Sequence, residues 1–222
     1  DIVFLRQEKY NLIKDWSQLG NQKEIISAHN VIDLHIGLDF GTANTKVVVR
    51  ETSREIAWAV PFNEEIENQY LLASHVYLEK NIYKLEGRPE NLHDNLKTSL
   101  ILGEISTEKI PHLIAFIALV IRYTRNWFLN NYAGNYQGAK FDWFYKLGIP
   151  SAIFRRENQF INDQFEISLH RGVMLANIEN NNITLSHIKS VLAENIPQTV
   201  VKSCQVMPEI QAQLIGHVES DA

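Results

Sequence analysis

Asp33-Leu34-His35-Ile36-Gly37-Leu38-Asp39-Phe40-Gly41-Thr42-Ala43-Asn44-Thr45-Lys46-Val47-Val48-Val49-Arg50 is the stretch on which the reading of the fold turns. Leu34 to Phe40 is a short apolar run interrupted by His35 and Gly37 and carrying a carboxylate near its end. Lys46 to Arg50 is rich in β-branched residues, so two strands flank a tight turn. The turn residues Gly41, Thr42, Ala43 and Asn44 are small or bear a hydroxyl or amide. Such a turn leaves backbone N–H groups within reach of an anion and adds side-chain donors for phosphate oxygens. Asp39, at the end of the first strand, is placed to hold a hydrated divalent cation against the phosphate charge.

At these residues the chain resembles the first phosphate motif of the actin and heat-shock chaperone superfamily of ATPases. That motif is a strand ending in Asp-x-Gly-Thr, followed by a small residue, a polar residue and Ser or Thr. Asp39-Phe40-Gly41-Thr42-Ala43-Asn44-Thr45 fills it, in a wording close to the bacterial actin-like cytoskeletal proteins. Asp-x-Gly-Thr alone also occurs in unrelated hairpins, including the aspartic-protease loop.

The remaining composition narrows the function classes. With 222 residues and 45% hydrophobic content, the chain can bury the core of one large domain or two small ones. A net charge of −5 and the absence of a basic stripe argue against a general nucleic-acid partner. The single cysteine, Cys204, rules out a disulfide within the chain and makes a reducing, cytoplasmic compartment the expectation. The uncharged run Ile110 to Ile121 is well short of the ~20 residues that span a bilayer, and Pro111 marks it as the first turn of a buried helix. The chain begins with Asp rather than Met, so a fragment is expected.

Taken in order, residues 1–30 read as a helical extension, with apolar Leu5, Leu12, Trp16 and Leu19 and a stop at Gly20. Glu55 to Phe62 reads as a third strand ended by Pro61. Residues 63–103 are polar and turn-rich, contain a strand pair at Leu71 to Leu78 and Asn81 to Leu85, and read as an inserted small subdomain. Thr107 to Asn131 is the longest helical pattern. Gly134 to Lys140 lacks the spacing and the hydroxyl residue of a Walker loop, and is a turn-rich connection. Phe141 to Ile149 is a strand, Arg156 to Ala176 a second long helix, Asn177 to Ile183 an exposed loop and Ser186 to Glu194 a short helix. Thr199 to Met207 reads as a buried strand and Pro208 to Val218 as a closing helix. This order predicts an α/β domain over residues 31–222, a mixed sheet with flanking helices. It matches the N-terminal lobe of the superfamily, a ribonuclease-H-like fold with an inserted outer subdomain.

The resemblance implies ATP with Mg2+ as ligands, Gly41 to Thr45 on the phosphates and Asp39 on the metal through water. It also implies a lysine near the γ-phosphate. Lys97 in Asn95-Leu96-Lys97-Thr98-Ser99-Leu100-Ile101-Leu102-Gly103 resembles the chaperone stretch that carries one, and read without the resemblance it is a solvated surface lysine. In Met207-Pro208-Glu209-Ile210-Gln211-Ala212, Glu209 falls where chaperones have a Glu-Pro pair facing the metal's water shell. Gln211 falls where actins have the glutamine that orients the attacking water. Ile210 replaces the chaperone proline, and as plain sequence both residues suit the first turn of a capped helix. His35 reads as a packing residue, and the aromatic cluster Phe141, Trp143, Phe144 and Tyr145 as sheet packing. Three functions follow from the family: an ATPase lobe that couples nucleotide state to a protein partner or to self-assembly, a degenerate scaffold of the same fold, or a sugar or metabolite kinase. The third lacks a carboxylate motif for a general base. In this superfamily nucleotide lies between two lobes, and this sequence carries one clamp.

Overall fold

The computed structural model describes residues 3–4, 30–102, 109–136, 139–154 and 158–209. Its strands are β1 (Val3–Phe4), β2 (Asn30–Phe40), β3 (Asn44–Glu51), β4 (Ile56–Ala59), β5 (Leu72–Ala73), β6 (Val76–Glu79), β7 (Ile82–Lys84), β8 (Leu92–His93), β9 (Ala139–Ile149), β10 (Ile183–Thr184) and β11 (Cys204–Pro208). The α-helices are α1 (Leu96–Ile101), α2 (Ile110–Tyr132), α3 (Gln159–Ala176), α4 (Leu185–Ala193) and α5 (Gln198–Ser203).

The expected hairpin forms. β2 and β3 pair antiparallel from Leu34 opposite Glu51 to Phe40 opposite Thr45. Alternation does the sorting, because successive side chains of a strand point to opposite faces. Leu34, Ile36, Leu38 and Phe40 are buried, while His35, Gly37 and Asp39 are half-buried on the other face. β4 lies antiparallel on the far side of β3, β9 runs parallel to β2, and β11 runs parallel to β9. The sheet order is β1-β4-β3-β2-β9-β11, with β5 beside the start of β3. The architecture is therefore α/β, a mixed sheet with flanking helices.

Helices α2 and α3 cover one face. The Phe40 ring meets Phe116 of α2 at 5.6 Å and Phe165 of α3 at 6.5 Å between centroids, so both helices sit over β2. They approach closely because Gly172 has no side chain: a Cβ there would stand 2.5 Å from Ile117 Cγ2. Phe128 ties α2 to the sheet through Trp58 of β4 and Phe141 and Trp143 of β9. The aromatic cluster of β9 is thus sheet packing. Buried Arg122 of α2 donates to the carbonyls of Leu175, Ala176, Ile178 and Asn180, which satisfies the end of α3 and holds the asparagine loop. Burial lowers its pKa to about 10.

The insertion builds a second sheet, in order β10-β7-β6-β8. Its tight turn uses Lys80 and Asn81 at φ 49° and 67°, the left-handed pair that a two-residue hairpin demands. One strand, β10, comes from a hundred residues further along the chain. Val76, Tyr83, Leu85, Leu96 and Leu100 join the same buried core as the main sheet.

Three expectations change. In the N-terminal stretch read as helical, Val3–Phe4 is an edge strand parallel to β4, and Asn30 already opens β2. The open edge of β4 offers backbone partners that outweigh a loose helical spacing. The rest of that extension lies outside the described residues. Thr199 to Met207 is not one strand: Pro197, at φ −65°, starts α5, its carbonyl accepting from Val200 N–H at 3.0 Å and Val201 N–H at 3.1 Å. The local turn overrides the β preference of Thr199, Val200 and Val201, and the strand is confined to β11. Pro208 is the last residue of β11 and Glu209 is already helical, so the expected closing helix starts one residue later than read, and its continuation from residue 210 lies outside the described residues.

Candidate functional site

β2, β4 and β5 run antiparallel to β3, β1 runs parallel to β4, and β9 and β11 run parallel to β2, so six of the seven strands point their carboxyl ends toward one edge of the sheet. In open α/β sheets this carboxyl edge is where ligands collect. The turn from Gly41 to Ala43 sits there. Its shape depends on Gly41: the N–H donates to Asp39 O and Asn44 O, each at 3.1 Å, and a Cβ would stand 2.4 Å from Asn44 O. That N–H is spent within the turn, so Gly41 contributes curvature rather than a donor. Thr42, Ala43 and Asn44 are exposed at the tip.

Ser74, between β5 and β6, holds the turn from behind, and sequence reasoning missed it. Its Oγ donates to Gly41 O at 2.8 Å and lies 2.9 Å from Thr45 Oγ1, while its N–H donates to Ala43 O at 2.9 Å. Thr45 is fully buried, and its hydroxyl is engaged with Ser74 rather than facing the tip. Nothing in the local pattern of the turn-rich insertion singles Ser74 out; its role comes from β5 pairing with the start of β3.

Lys97 is 3% exposed, not a surface lysine. It rides on α1, which starts after Asn95 at φ 55° and packs Leu96 and Leu100 into the core. Its Nζ donates to Phe40 O, the last carbonyl of β2, and to Glu209 Oε1 just past β11. Burying an ammonium is costly unless it is paired and hydrogen-bonded, and both conditions hold here. Asp39 faces the same cluster. Burial raises its pKa above the ordinary value, and the Glu209 carboxylate raises it further, while Lys46, its cross-strand neighbour, and Lys97 pull it down.

The structure therefore brings Asp39, Gly41, Lys97 and Glu209 together from three distant parts of the chain. Gln211 lies outside the described residues. Among the described residues no group of three or more His, Cys, Asp or Glu could hold a metal ion by itself. His35 stacks on Phe144 at 4.9 Å, and its buried Nδ1 has no hydrogen-bond partner among the described residues. Burial raises the Cys204 thiol to about 12, which leaves it unreactive. No helix among the described residues is long and apolar enough to cross a membrane.

The chain was compared with protein-family models, curated proteins and solved structures, and no match was found.

Proposed function

We propose that residues 31–222 form the N-terminal lobe of an ATPase of the actin and heat-shock chaperone superfamily, which binds the phosphates of Mg-ATP at the Gly41 turn. The observation that carries this reading is the convergence of Asp39, Lys97 and Glu209 at the carboxyl edge, beside a glycine-dependent turn. The strand order supports it too. With the two-residue strands β1 and β5 set aside and β2, β3, β4, β9 and β11 counted as first to fifth, the sheet reads third-second-first-fourth-fifth with the second antiparallel, an order compatible with the proposed ribonuclease-H-like lobe.

The residues fit a phosphate-bound cation better than a bare one. Among the described residues Asp39 and Glu209 are two acids set against each other, too few ligands for a protein-only site. Mg2+ keeps several waters and takes its other oxygens from phosphates. Asp39 would hold it through water, and Glu209 would face its hydration shell. Bound Mg2+ supplies charge compensation at the phosphates. Thr42, Ala43 and Asn44 would line the phosphates, with Ser74 and Thr45 keeping the turn in shape. Lys97 would exchange Glu209 for a phosphate oxygen, so ligand binding and the pairing of Glu209 would be linked through one ammonium.

A degenerate scaffold of the same fold is the second reading. It is favoured by one observation: the Lys97 ammonium and the Gly41 N–H, two expected phosphate donors, are already engaged within the protein. Calorimetric titration of Mg-ATP into residues 1–222, with a phosphate-release assay, tests the proposal. One clamp without the adenosine pocket of a second lobe should give binding near millimolar, about 4 kcal/mol, and no turnover. Micromolar binding with steady hydrolysis would overturn the one-lobe reading.

A further inference from the structure

An open groove of about 570 Å³ runs between the insertion and the segment that follows β4, touching the turn only through Asn44. Phe62, Leu72 and Leu85 make an apolar floor. One wall is aromatic: His75 and Tyr77 meet edge to face at 85°, with centroids 5.1 Å apart. The Gly87 backbone closes onto the Tyr77 ring so tightly that a Cβ would stand 2.6 Å from its Cγ. Two exposed carboxylates, Glu65 and Glu86, stand on the rim. Asn63 is spent on the loop itself, its Nδ2 donating to Asn68 O at 3.0 Å and Leu71 O at 2.7 Å. None of the described lining residues is Lys or Arg.

This chemistry selects the sign of the ligand. A groove with two carboxylates and no cation repels phosphates and acids, and the whole chain, at −5, adds to that field. An apolar floor beneath an acidic rim suits an aliphatic stem with a cationic head. An aromatic wall adds cation–π attraction, for which a planar guanidinium is best suited because it stacks on a ring and forks onto a carboxylate. The volume exceeds one side chain and fits a short extended peptide. The geometry points to a docking site for an arginine-bearing segment of a partner protein. Such a partner would press on the strands either side of Ser74, the residue that holds the Gly41 turn. The groove's chemistry is independent of the nucleotide reading.

The test is an NMR titration of 15N-labelled residues 1–222 with acetyl-Leu-Arg-Leu-amide and, as control, acetyl-Leu-Gln-Leu-amide. The arginine peptide should give saturable shifts at the amides of Tyr77, Glu86 and Gly87 in the millimolar range. Raising NaCl from about 0.05 to 0.5 M should weaken it about fivefold. The double variant Glu65→Gln, Glu86→Gln, both on exposed positions that leave the fold intact, should do the same. Equal shifts from the glutamine peptide, no saturable shift in the groove, or unchanged affinity in the double variant would overturn the assignment. Tighter binding of adenosine at the same amides would also overturn it, in favour of a small-molecule pocket.

Discussion

A carboxylate half-buried beside a second carboxylate is held against its own solvation preference, and Asp39 is so placed next to Glu209. Its folded pKa lies above the unfolded value of 3.8, so its contribution to stability is fully present below that pH. It is lost as the pH rises through the folded value, which leaves the ionised group a net cost at neutral pH. Asp39→Asn should therefore raise the melting temperature at pH 7 by about 2 °C while weakening Mg-ATP binding at least about tenfold. Scanning calorimetry and a binding titration on one preparation check both; a less stable variant with unchanged binding would refute the role. Lys97 works in the opposite sense. Lys97→Met leaves Glu209, whose side chain is 25% exposed, facing Asp39 with the ammonium gone. Urea unfolding should show a loss of about 2 kcal/mol, partly recovered when Glu209→Gln is added. A loss under about 0.5 kcal/mol, as for an exposed pair, would show that the contact contributes little. The turn was legible in sequence because residue type alone restricts it: only glycine tolerates the approach of Asn44 O at position 41. The burial of Lys97 was not legible, since its partner stands 112 residues away.

At the scale of elements, the junction between the insertion and α2 carries the clearest pH sensitivity. His93 of β8 stacks on His112 of α2 with centroids 3.7 Å apart at 15°, and the Tyr83 hydroxyl lies 3.0 Å from His112 Nδ1. Burial, with His93 and Lys109 adding to it, lowers the His112 pKa from 6.5 to about 4; burial also lowers His93. A histidine whose folded pKa is depressed takes up its proton in the unfolded chain first. Stability is thus intact above 6.5 and falls between there and about 4. Urea midpoints measured across that range should drop for the parent protein and drop less for His112→Phe. Parallel pH profiles would rule out the pair as the origin. β2, β3, β9, α2 and α3 were legible because each carries a full period of apolar residues. α5 and β1 were not: one is set by a proline against β-branched neighbours, the other by an edge that only the folded sheet offers.

For the molecule as a whole, the carboxyl edge of the sheet is proposed to be a Mg-phosphate clamp built by β2, the Gly41 turn, α1 and the residue after β11. The clamp joins both sheets, because Ser74 of the insertion holds the turn and the insertion's apolar residues belong to the common core. On the proposed reading, a ligand at the turn would be felt in the insertion through the Ser74 hydrogen bonds to Gly41 O and Ala43 O. The most direct measurement is an NMR titration of 15N-labelled residues 1–222 with Mg-pyrophosphate, which presents phosphates and metal without a nucleoside. Shifts at the amides of Gly41, Thr42, Ala43 and Asn44 that need Mg2+, saturate near millimolar and vanish in Asp39→Ala are the predicted result. Shifts scattered elsewhere, or turn shifts that persist without Mg2+ and in Asp39→Ala, would contradict the clamp.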